Sequence, residues 1–282
     1  MKSIDPAQIK ALIELLATQQ HGDETALLRD ALAYVIKKQP HTLQEVIEND
    51  FHCEVPAALV GIMHEICWEE LLCTAKQFTE SGELSLSEVA AFVSRFVNPA
   101  FDTQDITREL EALTDELRPL LENCPSAQAI LHTMGHFFFD NKSFVVLPSS
   151  HDIKDLSFGR FLQKKQGAAL CLCTLYAICS ERLGLDFNVV DMAGRVLVSY
   201  RPQHSQQTLF ADPLDRARPL TLEDCHNYIF TRNLEWSDAF ITPLSPCALL
   251  RRFLGQMIFI LNKLRDDKQL AYLRRYMDIL KD

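Results

Sequence analysis

Gln166-Gly167-Ala168-Ala169-Leu170-Cys171-Leu172 opens a helix, Arg182-Leu183-Gly184-Leu185 closes it, Ala193-Gly194-Arg195-Val196-Leu197-Val198 begins a strand, and Asp212-Pro213 ends the next. Between Ala168 and Leu183 the residues Leu172, Leu175, Tyr176, Cys179 and Leu183 recur at helical spacing. Gly184 then stands where a helix end favours a left-handed residue. The segments Phe187 to Asp191, Val196 to Tyr200 and Thr208 to Ala211 are rich in β-branched and aromatic residues and read as short strands, as does Ser143 to Leu147 further upstream. One helix therefore sits among several strands.

Outward from this segment the chain is helical. Asp5 as N-cap and Pro6 at the first helical position start a stripe of Ile9, Leu12, Ile13 and Leu16, which Gly22 breaks. Ala26 to Lys37 repeats the pattern, Pro40 and Thr42 restart it toward Ile47, and Val55 to Phe78 gives a longer, more apolar helix. These short hairpins look like stacked helical repeats. Ser85 and Glu88 form a capping box before Val89, Phe92, Val93 and Phe96, a run that Asn98-Pro99 stops, and Asp105 to Glu122 carries Ile106, Leu110, Leu113, Leu117 and Leu120 on one face, with Pro119 placed to kink its last turn. Beyond the strands, Thr221 with Asp224 caps a short helix. Pro243 and Pro246 precede a helix pair with stripes Leu250, Leu254, Met257, Leu261, Leu264 and Leu270, Leu273, Met277, Leu280 around an Asp266-Asp267 turn. The expected class is α+β, mostly helical: a helical region over 1–124, a core with a small antiparallel sheet over 125–243, and a helical hairpin over 244–282.

The 282 residues are 48% hydrophobic and 23% charged, as in folded soluble proteins. The net charge of −10 repels phosphate backbones, which argues against a nucleic-acid partner. From Pro246 onward the chain carries eight Lys/Arg against four Asp/Glu, net +4 against −14 for the remainder. That asymmetry invites an acidic partner, but the favoured reading is that these are the wet faces of two amphipathic helices, some of them facing the chain's own acidic body. No apolar run reaches the ~18 residues of a spanning helix, and the amphipathic N-terminus is unlike a signal peptide, so no membrane and a cytoplasmic location are expected. Nine cysteines, an odd number without a CxxC pair, fit small buried hydrophobes better than bridges or a zinc site. Walker, Gly-x-Gly-x-x-Gly and Gly-x-Ser-x-Gly patterns are absent.

The order of glycine, helix, Arg195 strand and Asp212-Pro213 resembles the transglutaminase-like domain, a relative of papain-type cysteine proteases. Active members have a Gly-x-Cys at the helix start, a His at the start of the second strand and an Asp at the end of the third. Within that superfamily the chain resembles a bacterial family named after the invasion regulator Sir-B, whose members join helices, such a core and a tetratricopeptide-like tail. Phe96-Val97-Asn98-Pro99-Ala100-Phe101-Asp102, Phe137-Phe138-Phe139 with Asn141-Lys142-Ser143-Phe144, and Leu162-Gln163-Lys164-Lys165-Gln166-Gly167 carry that closer resemblance.

Carried over residue by residue, the resemblance puts Ala169 at the nucleophile position, Arg195 at the histidine and Asp212 at the aspartate. A methyl group cannot attack a carbonyl, and a guanidinium is no general base near neutral pH. The implied reading is a non-catalytic pseudoenzyme that binds protein or peptide, with no cofactor and no metal. Arg195 then either pairs with Asp212, in a bidentate manner if the geometry allows, or contacts an anion. The alternative is a cysteine-dependent amide hydrolase or acyltransferase using Cys171, whose thiol would sit near the positive end of the helix dipole. Two residues along a helix is ~200° of rotation, so Cys171 should point away from the face of Ala169, while Cys173 shares that face one turn deeper. His132 with His136, His64 with Cys67, and His151-Asp152 are weaker constellations that read first as structural.

Overall fold

A computed structural model describes residues 4–18, 23–51, 57–203 and 207–281. Gly22, Cys53 and the first residues of the helix expected from Val55 lie outside them. Two compact units emerge from the packing, 1–74 with 98–100, and 75–97 with 101–282. The segments expected as separate core and tail lie together in the second unit.

In the first unit, α1 (Pro6–Thr18), α2 (Asp23–Lys38), α3 (Pro40–Asp50) and the start of α4 (Ala57–Ser81) enclose Ile9, Ile13, Leu32, Val35, Val46 and Leu59. Asp5 caps α1 as its sequence position suggests, accepting from the Gln8 amide (3.0 Å), while the Gln8 side chain accepts the Asp5 N–H in return. Lys10 reaches Asp50 across the unit at 2.8 Å.

The second unit continues with α5 (Leu86–Val97), α6 (Thr103–Leu121), α7 (Ala127–His136), β1 (Val145–Leu147), α8 (Phe158–Lys164), β2 (Gln166–Ala168) and α9 (Ala169–Leu183). After these come β3 (Phe187–Met192), β4 (Arg195–Tyr200), β5 (Leu209–Asp212), β6 (Arg218–Leu220), α10 (Leu222–Phe230), α11 (Pro246–Leu264) and α12 (Asp267–Ile279). Both capping boxes form, Ser85 with Glu88 and Thr221 with Asp224. Helix α6 starts two residues before Asp105 because Asp102 is its N-cap, accepting from the Gln104 amide at 2.9 Å. Helix α9 is buried along its whole length from Leu170 to Ser180, with α5 and α6 on one side and β3 and β4 on the other. Such a helix needs apolar residues all round, which is why its pattern shows little amphipathicity. Gly184 ends it at φ +70°.

The sheet is an antiparallel meander, β3-β4-β5-β6. Ala193 (φ +50°) and Gly194 (φ +91°) form the two-residue β3–β4 turn, the left-handed geometry that matches the twist of a hairpin. Asp191 accepts the Gly194 amide (3.0 Å) and pairs with Arg252 of α11 at 2.6 Å, which ties the turn to the tail helices. A separate parallel pair, β1 with β2, leads directly into α9. Among the described residues no helix is long and apolar enough to cross a membrane.

In the tail hairpin Leu250, Leu254, Met257 and Leu261 are buried, but Leu264 is 60% exposed because the chain turns at the left-handed Arg265. On α12 the buried position is Tyr276 rather than Met277, and its ring meets Phe92 and Phe96 edge-on at 5.3 and 5.9 Å.

Helix α8 packs so tightly that Gly159 leaves no room for a methyl group. A Cβ there would fall 2.1 Å from the Phe101 ring, and the Gly159 amide donates to Ser94 Oγ at 2.8 Å, which fixes the backbone. Gly159→Ala is expected to lower the unfolding free energy by about 2 kcal/mol, the middle of the range for overpacking. In a Phe101→Ala background the same substitution should be close to neutral in urea unfolding. Equal cost in both backgrounds would count against the clash.

Candidate active site

The junction of β2 and α9 is built around one backbone carbonyl. A Cβ on Gly167 would lie 2.9 Å from Asp155 O and 2.9 Å from the Phe161 ring, so this position needs glycine for space rather than for torsion angles. The same carbonyl takes the Cys171 thiol at 3.7 Å. Cys171 is fully buried, and burial drives its pKa far above the ordinary thiol value, outweighing the favourable place in the first turn of α9. Ala168 is the N-cap residue and contributes no side-chain cap. Ala169 follows as the first helical residue and is half-buried.

One turn on from Ala169, Cys173 is also fully buried. Its pKa is raised first by burial and then by the negative charge of Asp212. Cys171 and Asp212 are not brought together by any contact.

Arg195 opens β4 opposite Met192, and strand alternation puts it on the same sheet face as Asp212 at the end of β5. The two form an ion pair. Asp212 is 0% exposed, and its two oxygens are divided: Oδ2 accepts from the Arg195 guanidinium and Oδ1 from the Leu214 amide at 3.0 Å. The pair is thus made through one oxygen rather than a two-pronged fork. The Asp212 carbonyl also accepts the Ala217 amide (2.7 Å), closing the turn that follows Pro213.

On the outer side, the Arg195 guanidinium lies over the Tyr228 ring of α10 at 4.9 Å, and Arg232 lies over the same ring at 4.4 Å. Buried Cys225 of α10 is near enough to feel the Arg195 charge; burial and Asp224 push its thiol up to about 11 in spite of it. Tyr228 has no signal in the sequence, because the register of α10 on the sheet decides that it meets Arg195. Asp212 is thus engaged by a permanent cation.

Residues 104–255 match the family model described as the transglutaminase-like superfamily, more than half of the chain. The chain belongs to the transglutaminase-like superfamily. No curated protein and no solved structure matches it. The transglutaminase-like match begins in α6 and ends in α11, so it contains Ala169, Arg195, Asp212 and the whole sheet.

The remaining candidates have local partners. His64 Nδ1 is 2.9 Å from the Val60 carbonyl and its ring tilts against Trp68. Asp152 caps a short turn through the Lys154 amide (2.9 Å), and the His151 ring is 2.9 Å from Ser149 Oγ. His132 and His136 line a shallow cavity of about 210 Å³ beside the irregular turn Phe137–Asn141, with Asp140 3.9 Å from His136. Among the described residues no group of three or more His, Cys, Asp or Glu is placed to hold a metal ion.

Proposed function

We propose that this chain is a non-catalytic member of the transglutaminase-like superfamily, a pseudoenzyme that serves as a protein-interaction or regulatory module in the cytoplasm. Its closer kinship is with the Sir-B family, and its tail hairpin is a tetratricopeptide-like element. The partner in this reading is protein or peptide rather than nucleic acid or membrane, in keeping with the net charge of −10. The observation that carries the reading is the ion pair between Arg195 and fully buried Asp212, which occupies the carboxylate that would orient a base. Ala169 at the tip of α9 and the burial of Cys171 against Asp155 support it.

Thiol labelling of the native protein tests the proposal. With a stoichiometric thiol-directed electrophile at pH 7, exposed Cys73 is expected to label first and Cys171 among the last, with no acid-shifted rate profile at Cys171. Fast, acid-shifted modification of Cys171, located by peptide mapping, would instead favour a cysteine-dependent amide hydrolase or acyltransferase.

A further inference from the structure

A groove crosses the sheet toward the end of β4 opposite Arg195. Its floor is a single cross-strand row, Asn188, Ser199, Phe210 and Leu220, each the register partner of the next. Two adjoining cavities lie along it: one of about 390 Å³ over the Asn188–Ser199 half and one of about 490 Å³ over the Phe210–Leu220 half. Thr208 and Ile241 line both.

The two halves differ in chemistry. Ser199 lines the first cavity, is only 3% exposed, and its hydroxyl makes no hydrogen bond to any described residue. That hydroxyl opens onto the cavity, where an occupant could accept from it. Two carboxylates flank it. Asp186 accepts from the Asn188 side-chain Nδ2 (2.7 Å) and Asp238 from the Trp236 indole (3.1 Å), each through one oxygen, and no described residue bonds the other. Among the described residues Arg201 is the one cation lining this half. The local excess is therefore negative, on a chain of net charge −10, and suits a cationic group. The second half is apolar: half-buried Leu209 and exposed Leu222 line it, above Phe210 and Leu220, which are themselves packed in the core beneath.

From the middle of the polar half to the middle of the apolar half is two strand spacings, ~10 Å at about 4.8 Å each. A polyproline II chain has three residues per turn and rises about 3.1 Å per residue, so side chains three apart share a face at nearly that distance. Its backbone carbonyls carry no internal hydrogen bonds and are open to a donor such as Ser199 Oγ.

We propose that this groove binds a peptide segment in the polyproline II conformation that bears a cationic side chain and, three residues on, an apolar one. The inference stands whether or not the positions Ala169, Arg195 and Asp212 support a reaction. The cation sits between Asp186 and Asp238, the apolar side chain over Phe210 and Leu220, and Ser199 donates to a backbone carbonyl.

Titration of the isotope-labelled full chain with end-capped Lys-Pro-Pro-Leu, followed by amide chemical shifts, tests this. Saturable shifts confined to β3 through β6 and the 238–242 turn are expected, with Glu-Pro-Pro-Leu and Lys-Pro-Pro-Ser at least about tenfold weaker. Ser199→Ala should weaken binding several-fold while leaving the melting temperature unchanged, since the hydroxyl bonds no described residue. Asp186→Asn with Asp238→Asn should abolish the preference for Lys over Glu. Absence of saturable shifts, equal binding of the Glu peptide, or full affinity in both variants would each overturn the proposal.

Discussion

Arg195→Ala is expected to lower the unfolding free energy by about 3 kcal/mol, the cost of removing one partner from a buried ion pair. Asp212 is completely buried and, among the described residues, would keep only the Leu214 backbone N–H as a donor to its carboxylate, which would lose its countercharge in a low-dielectric setting. Tyr228 would lose one of its two covering guanidinium groups at the same time. Asp212→Asn should cost less alone, because a neutral amide needs no countercharge. The double variant should be more stable than the sum of the two losses predicts. Urea unfolding of the four proteins measures this directly. A loss below about 0.5 kcal/mol for Arg195→Ala would place the pair among surface ion pairs of little consequence.

Alkaline pH should unfold the protein at an unusually low threshold. Burial raises the pKa of Cys171 and Cys173 far above the thiol range, that of Cys179 up to about 12 and that of Cys225 up to about 11. Each folded-state pKa lies above the unfolded one, so the stabilisation is complete below about pH 8.5 to 9. It is lost as pH rises from there toward the folded values, because the unfolded chain releases protons that the native one keeps. Each thiol contributes a slope of about 1.4 kcal/mol per pH unit in that window, and four together are enough to unfold a domain of ordinary stability near pH 10 to 11. Tyr176, buried and raised in the same direction, steepens the fall further. Thermal unfolding as a function of pH, with Cys171→Ala and Cys179→Ala as variants of shallower slope, checks this. An activated Cys171 would give the opposite sign at its own position, with stability gained as pH rises through a depressed folded pKa. Flat stability between pH 8 and 10.5 would refute the burial argument.

Much of the fold was legible because its elements carry their own punctuation. Gly184, the two capping boxes and the β-branched runs of β3 and β4 mark their boundaries locally, and the structure places them within a residue or two. The two unforeseen strands lack such marks. Gln166–Ala168 pairs with β1 through its backbone, and Arg218–Leu220 contains a proline and only three residues, so neither alternates. Tyr276 rather than Met277 faces inward because the helix spacing of three or four residues leaves two candidates until the neighbouring Phe92 and Phe96 are placed. At the site, the sequence supports the Arg195 and Asp212 pairing, since both begin or end strands expected to be adjacent. Tyr228 over Arg195, and the row from Asn188 to Leu220, depend on cross-strand register and on how α10 lies on the sheet. Residue types alone do not encode either.

The crowding at Gly167 has a consequence for reading sequences of this kind. A saturation scan would find that position intolerant, because every larger side chain strikes Asp155 O or the Phe161 ring. Purifying selection on steric fit would hold such a glycine in place through any number of generations in which no bond is ever cut, so its persistence in a lineage dates the architecture and is silent about turnover.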